Sequence, residues 1–430
     1  MLTDLVARET SRQEETITLI PSENYTSRAV REALGSALTN KYSEGYPHKR
    51  YYQGNTIIDE IEDIAIDRAK KLFGVPHVNV QPYSGSPANA AVYMALLSPG
   101  DTIMGLKLSG GGHLTHGHPD ITFSGTFFRS VQYDVSPDGR IDTEDVAALA
   151  RKEKPKIIVV GTTAYPRIFD WEKWRAIADD VGAFLLADIS HIAGLVVGGA
   201  HPSPVPYADV IMTTTHKTLR GPRGAMILVT ERGLAKDPAM GEKIDKAVFP
   251  GLQGGPHDNV TAGIATALFE ASQPEFRVYA QNIVSNAKVL ASTLIEGGLT
   301  LTTGGTDNHL MVVDLRPQHA IGNIVAEALE RANIVVNKNS VPHDTNPPFY
   351  PSGIRIGTPA ITTRGMGEKE MNIIGNWIVE VVREVSHYHL PETKEGRRGF
   401  LSTVKKELEQ NVKLKQIAHE VAVLCRRFPL

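Results

Sequence analysis

Cysteine is nearly missing. Cys425 is the single one in 430 residues, so no intrachain disulfide can form and a reducing compartment is implied. Long apolar runs are missing as well: the longest lies around "IAGLVVGGA", far short of the ~20 residues that cross a bilayer. The N-terminal stretch "MLTDLVARETSRQEET" has no apolar core of the signal-peptide kind. Charge of one sign is not in excess. With 45 Lys and Arg against 48 Asp and Glu, the formal net charge is −3, without the basic field that a nucleic-acid binder carries. No G-x-x-x-x-G-K-[ST] run occurs, so a P-loop nucleotide site is not indicated. These absences imply a soluble, cytoplasmic protein whose partners are neither nucleic acid nor membrane.

What remains is an ordinary globular composition, 41% hydrophobic and 22% charged, in a chain too long for one core. "NTIIDEIEDIAIDRAKKLFG" reads as a helix, with Ile57, Ile58, Ile61, Ile64 and Ile66 near helical spacing and Gly74 as its stop. Strands and helices then alternate. "DTIMGL", "KIIVVG", "FLLADIS", "DVIMTTT" and "GAMILVT" are apolar runs rather than alternating ones, the mark of strands covered on both faces. The fold class is therefore α/β, with a mostly parallel central sheet between helices. From about Pro274 a long helix leads into a mixed segment holding "HLMVVDL", "GNIVAEALERAN" and "IVVNKN". We expect an N-terminal arm and large domain over 1–275 and a smaller C-terminal α+β domain over 276–430.

In open α/β sheets ligands bind beyond the carboxyl ends of the strands, and several chemical groups fall there. "FLLADISH" ends a strand on Asp188 with His191 just past it; a structural ion pair would explain a carboxylate there equally well. "TTTHKTLRGPRG" carries Lys217 after the strand "DVIMTTT", with His216 before it. "QPYSGSPANAAVYMALL" is a Gly/Ser turn entering a helix, with Ser84, Gly85 and Ser86 as anion donors. Its bland reading is a plain cap, with Ser86 as N-cap and Pro87 at the first helical position. "SGGGHLTHGHPD" offers His113, His116, His118 and Asp120: a metal cluster of a hydrolase, a flat stacking ring, or surface histidines. "NKYSEGYPHKRYYQGN" is rich in tyrosine around Glu44, suiting a site or an interface. "SGIRIGTPAIT" sets Arg355 among small residues, where its fork suits a substrate carboxylate or an internal ion pair. Together, an imine-forming lysine, a carboxylate, a phosphate cradle, a flat ring and an arginine are the set that pyridoxal phosphate needs.

These motifs, with "LIPSENYTS", "FPGLQGGP", "GGTDNHLMVVDL" and "VNKNSVP" in the same order, resemble the serine hydroxymethyltransferase family over nearly the whole chain. The resemblance implies a fold type I pyridoxal 5'-phosphate enzyme that interconverts L-serine and glycine with tetrahydrofolate as one-carbon carrier. It implies a homodimer sharing its active sites, or a tetramer, and no metal. Carried over by position, Lys217 is the Schiff-base lysine, Asp188 pairs with the pyridinium nitrogen and His113 stacks on the ring. His191 and Thr163 face the ring substituents. Ser84, Gly85, Ser86 and His216 surround the phosphate, with Tyr42, Gly254 and Gly255 from the partner subunit. Arg355 and Ser22 hold the substrate carboxylate, and Glu44 and Tyr52 of the partner handle the hydroxymethyl group. Folate falls near Leu108, Gly112, His113, Leu114, Asn339, Pro347, Pro348 and Phe349. Four positions depart from the family pattern: Tyr83 for a usual histidine, Pro87 for glutamine, Thr163 for serine and Pro21 for alanine. None removes a group the chemistry requires. The alternatives are a folate-independent aldolase acting on threonine-like β-hydroxy amino acids, a metal-dependent hydrolase using His113, His116 and His118, and a non-catalytic protein that keeps the fold.

Overall fold

The computed structural model describes every residue of the chain except Asp120 and Pro348. Asp120, the acidic member of the metal alternative, and Pro348, one of the expected folate contacts, therefore lie outside the described residues.

Seven strands form the main sheet: β1 (His77–Asn79), β2 (Thr102–Leu106), β3 (Arg129–Tyr133), β4 (Ile157–Gly161), β5 (Phe184–Asp188), β6 (Val210–Thr214) and β7 (Ala225–Val229). Their order is β1-β7-β6-β5-β4-β2-β3. Neighbours from β6 to β3 are parallel, and β7 runs antiparallel to both β6 and β1. The sheet is thus mostly parallel, as the unbroken apolar runs require. The central strands β4, β6 and β7 are buried at every residue. The two strands without a sequence signal, β1 and β3, are its edges; β1 has three residues, and "RSVQY" of β3 is half polar. Register sets Gly161 beside Asp188 and Asp188 beside Met212, so β4 and β5 end level, β6 runs on to Thr214, and their loops open on one edge.

A second sheet of four strands holds β8 (Thr300–Leu301), β9 (Leu310–Asp314), β10 (Asn337–Asn339) and β11 (Gly353–Gly357) in the order β8-β9-β11-β10, all antiparallel. The expected single strand "IVVNKN" is two: Ile334–Val335 pairs in parallel with Ile17–Thr18, and β10 continues to the sheet edge. That parallel pair draws the N-terminal segment, with Ser22, onto the C-terminal half.

Helix α1 (Leu2–Glu15) buries no residue. In α2 (Thr56–Phe73) Gly74 ends the helix in the left-handed conformation, φ 70°. Its inward face holds Ile58, Asp59, Glu62, Ala65, Ala69 and Phe73, whereas Ile57 and Ile64 point out, 62% and 45% exposed. The isoleucine spacing therefore describes the helix but not its buried face. The turn before α3 (Gly85–Leu96) also differs from expectation. The helix starts two residues earlier, with Ser84 at the N-cap position making no side-chain cap bond and Pro87 at the third helical position. Proline tolerates that position because the first-turn amides have no intrahelical partner. The long helix α4 (Pro274–Glu296) spans two cores. Phe276, Tyr279, Ala280 and Ile283 pack with the main sheet, and Ala287, Leu290, Ala291 and Leu294 pack with the C-terminal strands and helices. Among the described residues no helix is long and apolar enough to cross a membrane.

Candidate active site

The loops after β4, β5 and β6, the start of α3 and strand β11 enclose a cavity of about 490 Å³. It is lined by Lys217, Asp188, His191, His113, Thr163, His216, Arg355, Ser22 and the Ser84–Ser86 turn, and its mouth by Leu108, Gly112, Leu114 and Asn339. The cavity lies at the carboxyl edge of the parallel strands, where an open α/β sheet takes its ligand.

Lys217 sits three residues past the end of β6. Its Nζ donates to Thr214 Oγ1 at 2.8 Å, and no carboxylate is in ion-pair reach among the described residues. Desolvation draws its pKa down to about 8, against the attraction of Asp188 and with help from Arg223 and Arg355. The loop is anchored on all sides. Thr215 Oγ1 donates to the Pro222 carbonyl at 2.6 Å, and Thr218 Oγ1 to the His191 carbonyl at 3.1 Å. Asn24 Nδ2 donates to the Lys217 carbonyl at 2.9 Å. Arg223 is exposed at the rim of the cavity.

Asp188 is 8% exposed. One oxygen accepts from His116 Nε2 at 2.8 Å and Asn89 Nδ2 at 3.1 Å; the other accepts from the hydroxyl of Ser190 at 2.6 Å and its amide at 3.1 Å. Burial alone would raise its pKa, but the His116 contact and the Ser190 hydroxyl outweigh it and hold the carboxyl well below its ordinary value. The site therefore carries a fixed negative charge at its floor. His116, a metal candidate by sequence, is a buried partner of that charge.

The other two histidines of the cluster go elsewhere: His113 Nδ1 lies 2.8 Å from Thr115 Oγ1, and His118 Nδ1 donates to the Pro119 carbonyl at 2.7 Å. Among the described residues no group of three His, Cys, Asp or Glu is arranged to hold a metal ion. Burial, with the nearby His116, brings the His113 pKa down to about 4, so its ring is neutral near pH 7.

Arg355 donates from Nε to Asn337 Oδ1 at 3.0 Å and from Nη1 to the Thr163 carbonyl, with no acidic partner among the described residues. Desolvation lowers it to about 10, so it stays charged. A cation seated in a cavity without a counter-charge calls for an anionic ligand.

The remaining expected residues form a separate cluster. Tyr42, Glu44, Tyr52, Gly254 and Gly255 lie together on the surface and do not line the lysine cavity. Tyr42 donates to Glu44 Oε1 at 3.2 Å and meets Tyr52 edge-on at 5.2 Å. A Cβ on Gly254 would stand 3.2 Å from Glu44 Oε1. Tyr42 and Tyr52 are 56% and 47% exposed. Tyr83 joins this cluster, stacked on His257 at 4.1 Å and donating to the Gly255 carbonyl at 2.7 Å. Pro347 and Phe349 lie away from the cavity lining, Phe349 facing a neighbouring groove with Lys338 Nζ 4.5 Å from its ring centre.

Asn89, Ser190, Thr214 and Thr162 also line the cavity and had no role by sequence. A signal for Asn89 was present, since it lies one helical turn after Gly85 on the same face of α3.

The cavity fits pyridoxal phosphate by its donor set. The hydroxyls of Ser84 and Ser86 are not spent on capping α3, and a Cβ on Gly85 would come within 2.9 Å of Thr214 Cγ2. His216 Nδ1 and Asn89 Oδ1 are buried polar atoms without a partner among the described residues. A buried amine of lowered basicity, an anionic floor and a helix start with free amides together define a fold type I pyridoxal-phosphate enzyme. The comparisons narrow this class. The family model described as serine hydroxymethyltransferase matches residues 1–378. A serine hydroxymethyltransferase of Acidothermus cellulolyticus is 56% identical over 429 residues, covering 100% of this chain and 95% of its own. Those of Desulfotalea psychrophila and Sorangium cellulosum are each 53% identical, covering 99% and 100% of this chain and 93% and 94% of their own. The chain belongs to the serine hydroxymethyltransferase family.

Proposed function

We propose that the chain interconverts L-serine and glycine reversibly, with tetrahydrofolate carrying the one-carbon unit, and that the lysine cavity is its active site. The observation that carries this reading is Lys217, whose amine has a neutral hydroxyl as its hydrogen-bond partner and a basicity lowered by burial. Lowered basicity leaves more of the amine unprotonated near neutral pH, as a nucleophile requires. Pyridoxal phosphate, when bound, supplies an aldehyde for that amine and a ring that delocalises the electron pair released at the substrate Cα. Asp188 would keep the ring nitrogen protonated, because a carboxylate held anionic by His116 and Ser190 favours a proton facing it. His113, neutral and flat in the cavity wall, would cover one face of that ring. Ser84, Gly85, Ser86 and His216 hold the phosphate, and Thr163 and His191 border the ring substituents. Arg355 and Ser22 would bind the substrate carboxylate and so orient the substrate in the cavity. Leu108, Gly112, Leu114 and Asn339 at the mouth receive the folate.

Glu44 moves the proton of the hydroxymethyl group, Tyr52 orients that group, and Tyr42 with Gly254 and Gly255 completes the phosphate site. All five act from a second copy of the chain in a homodimer. The exposure of Tyr42 and Tyr52, and the absence of all five from the lining of their own chain's cavity, support this reading. We also divide the chain along α4, a little past the expected boundary at 275, where the core changes between Ile283 and Ala287. A reducing, cytoplasmic setting accords with the lone buried Cys425.

The test is borohydride reduction of the purified protein loaded with pyridoxal phosphate, followed by peptide mass analysis. A yellow protein whose label falls on Lys217, with serine cleavage stimulated by tetrahydrofolate, is expected. A protein that stays colourless and unlabelled refutes the cofactor site, and cleavage indifferent to folate refutes the substrate pair.

A further inference from the structure

Behind the cavity wall two histidines from distant parts of the chain meet. His191 follows β5 and lines the cavity; His309 immediately precedes β9 in the C-terminal sheet. His191 Nδ1 and His309 Nε2 are 3.2 Å apart, and the rings meet edge to edge with centres 5.4 Å apart and planes 30° apart. The residues are 5% and 0% exposed. Burial holds His191 well below its ordinary pKa and His309 down to about 3, so both rings are neutral near pH 7. A hydrogen bond between two neutral imidazoles needs one nitrogen that carries hydrogen and one that is bare.

The far nitrogen of His309 decides which is which. His309 Nδ1 is buried without a partner among the described residues. Were His191 the donor, the hydrogen of His309 would sit on that Nδ1 as an unpaired buried N–H. With His309 as donor, the unpaired atom is a bare nitrogen, and orphaned buried N–H groups are rarer than under-satisfied acceptors. His201 makes the same choice: its Nδ1 donates to the Pro202 carbonyl at 3.0 Å, and its buried, unpartnered Nε2 is the bare one.

We propose that His309 is a positioning residue that donates from Nε2 to His191 Nδ1, and thereby fixes the hydrogen of His191 on Nε2. His191 then offers the cavity an N–H donor rather than a lone pair. The inference rests on the cavity being the pyridoxal-phosphate site. An ionised phenolic oxygen on that cofactor is held by an N–H donor and repelled by a lone pair. Because His309 sits directly before β9, seating of the C-terminal sheet against the β5 loop sets the hydrogen-bonding character of the site.

The test compares wild type, His309→Gln, which keeps an N–H donor, and His309→Leu, which keeps bulk without one. Equilibrium affinity is measured by absorbance titration for pyridoxal phosphate and for its 3-deoxy analogue, which lacks the phenolic oxygen. Leucine is expected to weaken pyridoxal phosphate roughly 10–100-fold, as for one hydrogen bond to a charged group. It should also shift the imine absorbance toward the short-wavelength enol form, with glutamine restoring most of both effects. For the 3-deoxy analogue the leucine variant and wild type should bind alike. Equal losses with both cofactors, or no loss with either, overturn the proposal. Should the leucine variant not fold, ring-15N-labelled histidine in the wild-type holoenzyme answers the question. A bare Nδ1 on His191 supports the assignment and a protonated one overturns it. Wild type that takes up no pyridoxal phosphate on Lys217 overturns both this proposal and the reading beneath it.

Discussion

Burying a carboxylate without partners costs several kcal/mol, and Asp188 escapes that cost through His116, Asn89 and Ser190. These partners keep the charge on the oxygens at the pH where the enzyme works. Asp188→Asn keeps the volume and removes the charge, and kcat should fall on the order of 10²–10³-fold, as when one preorganised electrostatic group is lost. Steady-state kinetics with circular dichroism as a folding control checks it. The histidines make a second residue-scale prediction. His113, His191, His216 and His309 all have pKa values lowered by burial. A group whose folded pKa lies below its unfolded value gives stability that is present above the unfolded pKa, about 6.5 for histidine. That stability is lost as pH falls toward the folded value. Between about pH 6.5 and 5 the unfolded chain binds protons that the folded cofactor-free protein refuses, and each such histidine costs up to about 1.4 kcal/mol per pH unit. The Tm of the cofactor-free protein should therefore drop across this window, and His216→Asn should flatten the slope. An unchanged slope refutes the assignment of His216 as a neutral buried ring.

Among the elements, α2 shows how a buried face is specified by charge as well as by apolar residues. Arg50 donates to Asp59 at 2.8 Å and to Glu62 at 2.6 Å with its side chain 3% exposed, and also to the carbonyls of Ser43 and Gly45. One guanidinium thus ties α2 to the tyrosine loop that carries Glu44. Arg50→Ala leaves Glu62 buried beside Gln81 without its cation, which should cost about 3–5 kcal/mol. Denaturant unfolding would read this loss, and a change under about 1 kcal/mol, the range of exposed pairs, would refute it. Sequence spacing reported α2 as a helix but not this face, since five isoleucines outvoted two carboxylates whose partner lies in another loop. The same limit explains the other differences. The strands β4 to β7 were legible because burial on both faces writes a continuous apolar run. The edge strands β1 and β3 are too short or too polar to write one. The position of Lys217 beyond β6 was legible because strand polarity sets which end bears ligands. The partnership of His116 with Asp188 was not, because 72 positions separate them and only the fold brings them together.

At the scale of the whole molecule, the expected site residues fall into two groups that one chain does not unite. Lys217, Asp188 and Arg355 line the cavity, and Tyr42, Glu44 and Tyr52 stand on the surface. Helix α1 adds Leu2, Leu5 and Val6, 74%, 49% and 60% exposed, and α2 adds Ile57 and Ile64. Apolar side chains left outward on two helices, together with a polar cluster of catalytic type, suit surfaces that another copy covers. A two-fold dimer would bring each chain's tyrosine loop to its partner's cavity, and the arrangement predicts complementation. Lys217→Ala lacks the amine in its cavity but keeps its loop; Glu44→Gln has the reverse defect. Each homodimer should be nearly inactive. After co-expression, mixed dimers hold one site with both changes and one with neither. Random pairing makes half of the dimers mixed, so about a quarter of wild-type activity should return. Separately purified variants that cannot exchange subunits should return none. If co-expression restores no activity while mixed dimers are isolated by differential tags, Glu44 serves the cavity of its own chain and the shared-site arrangement fails.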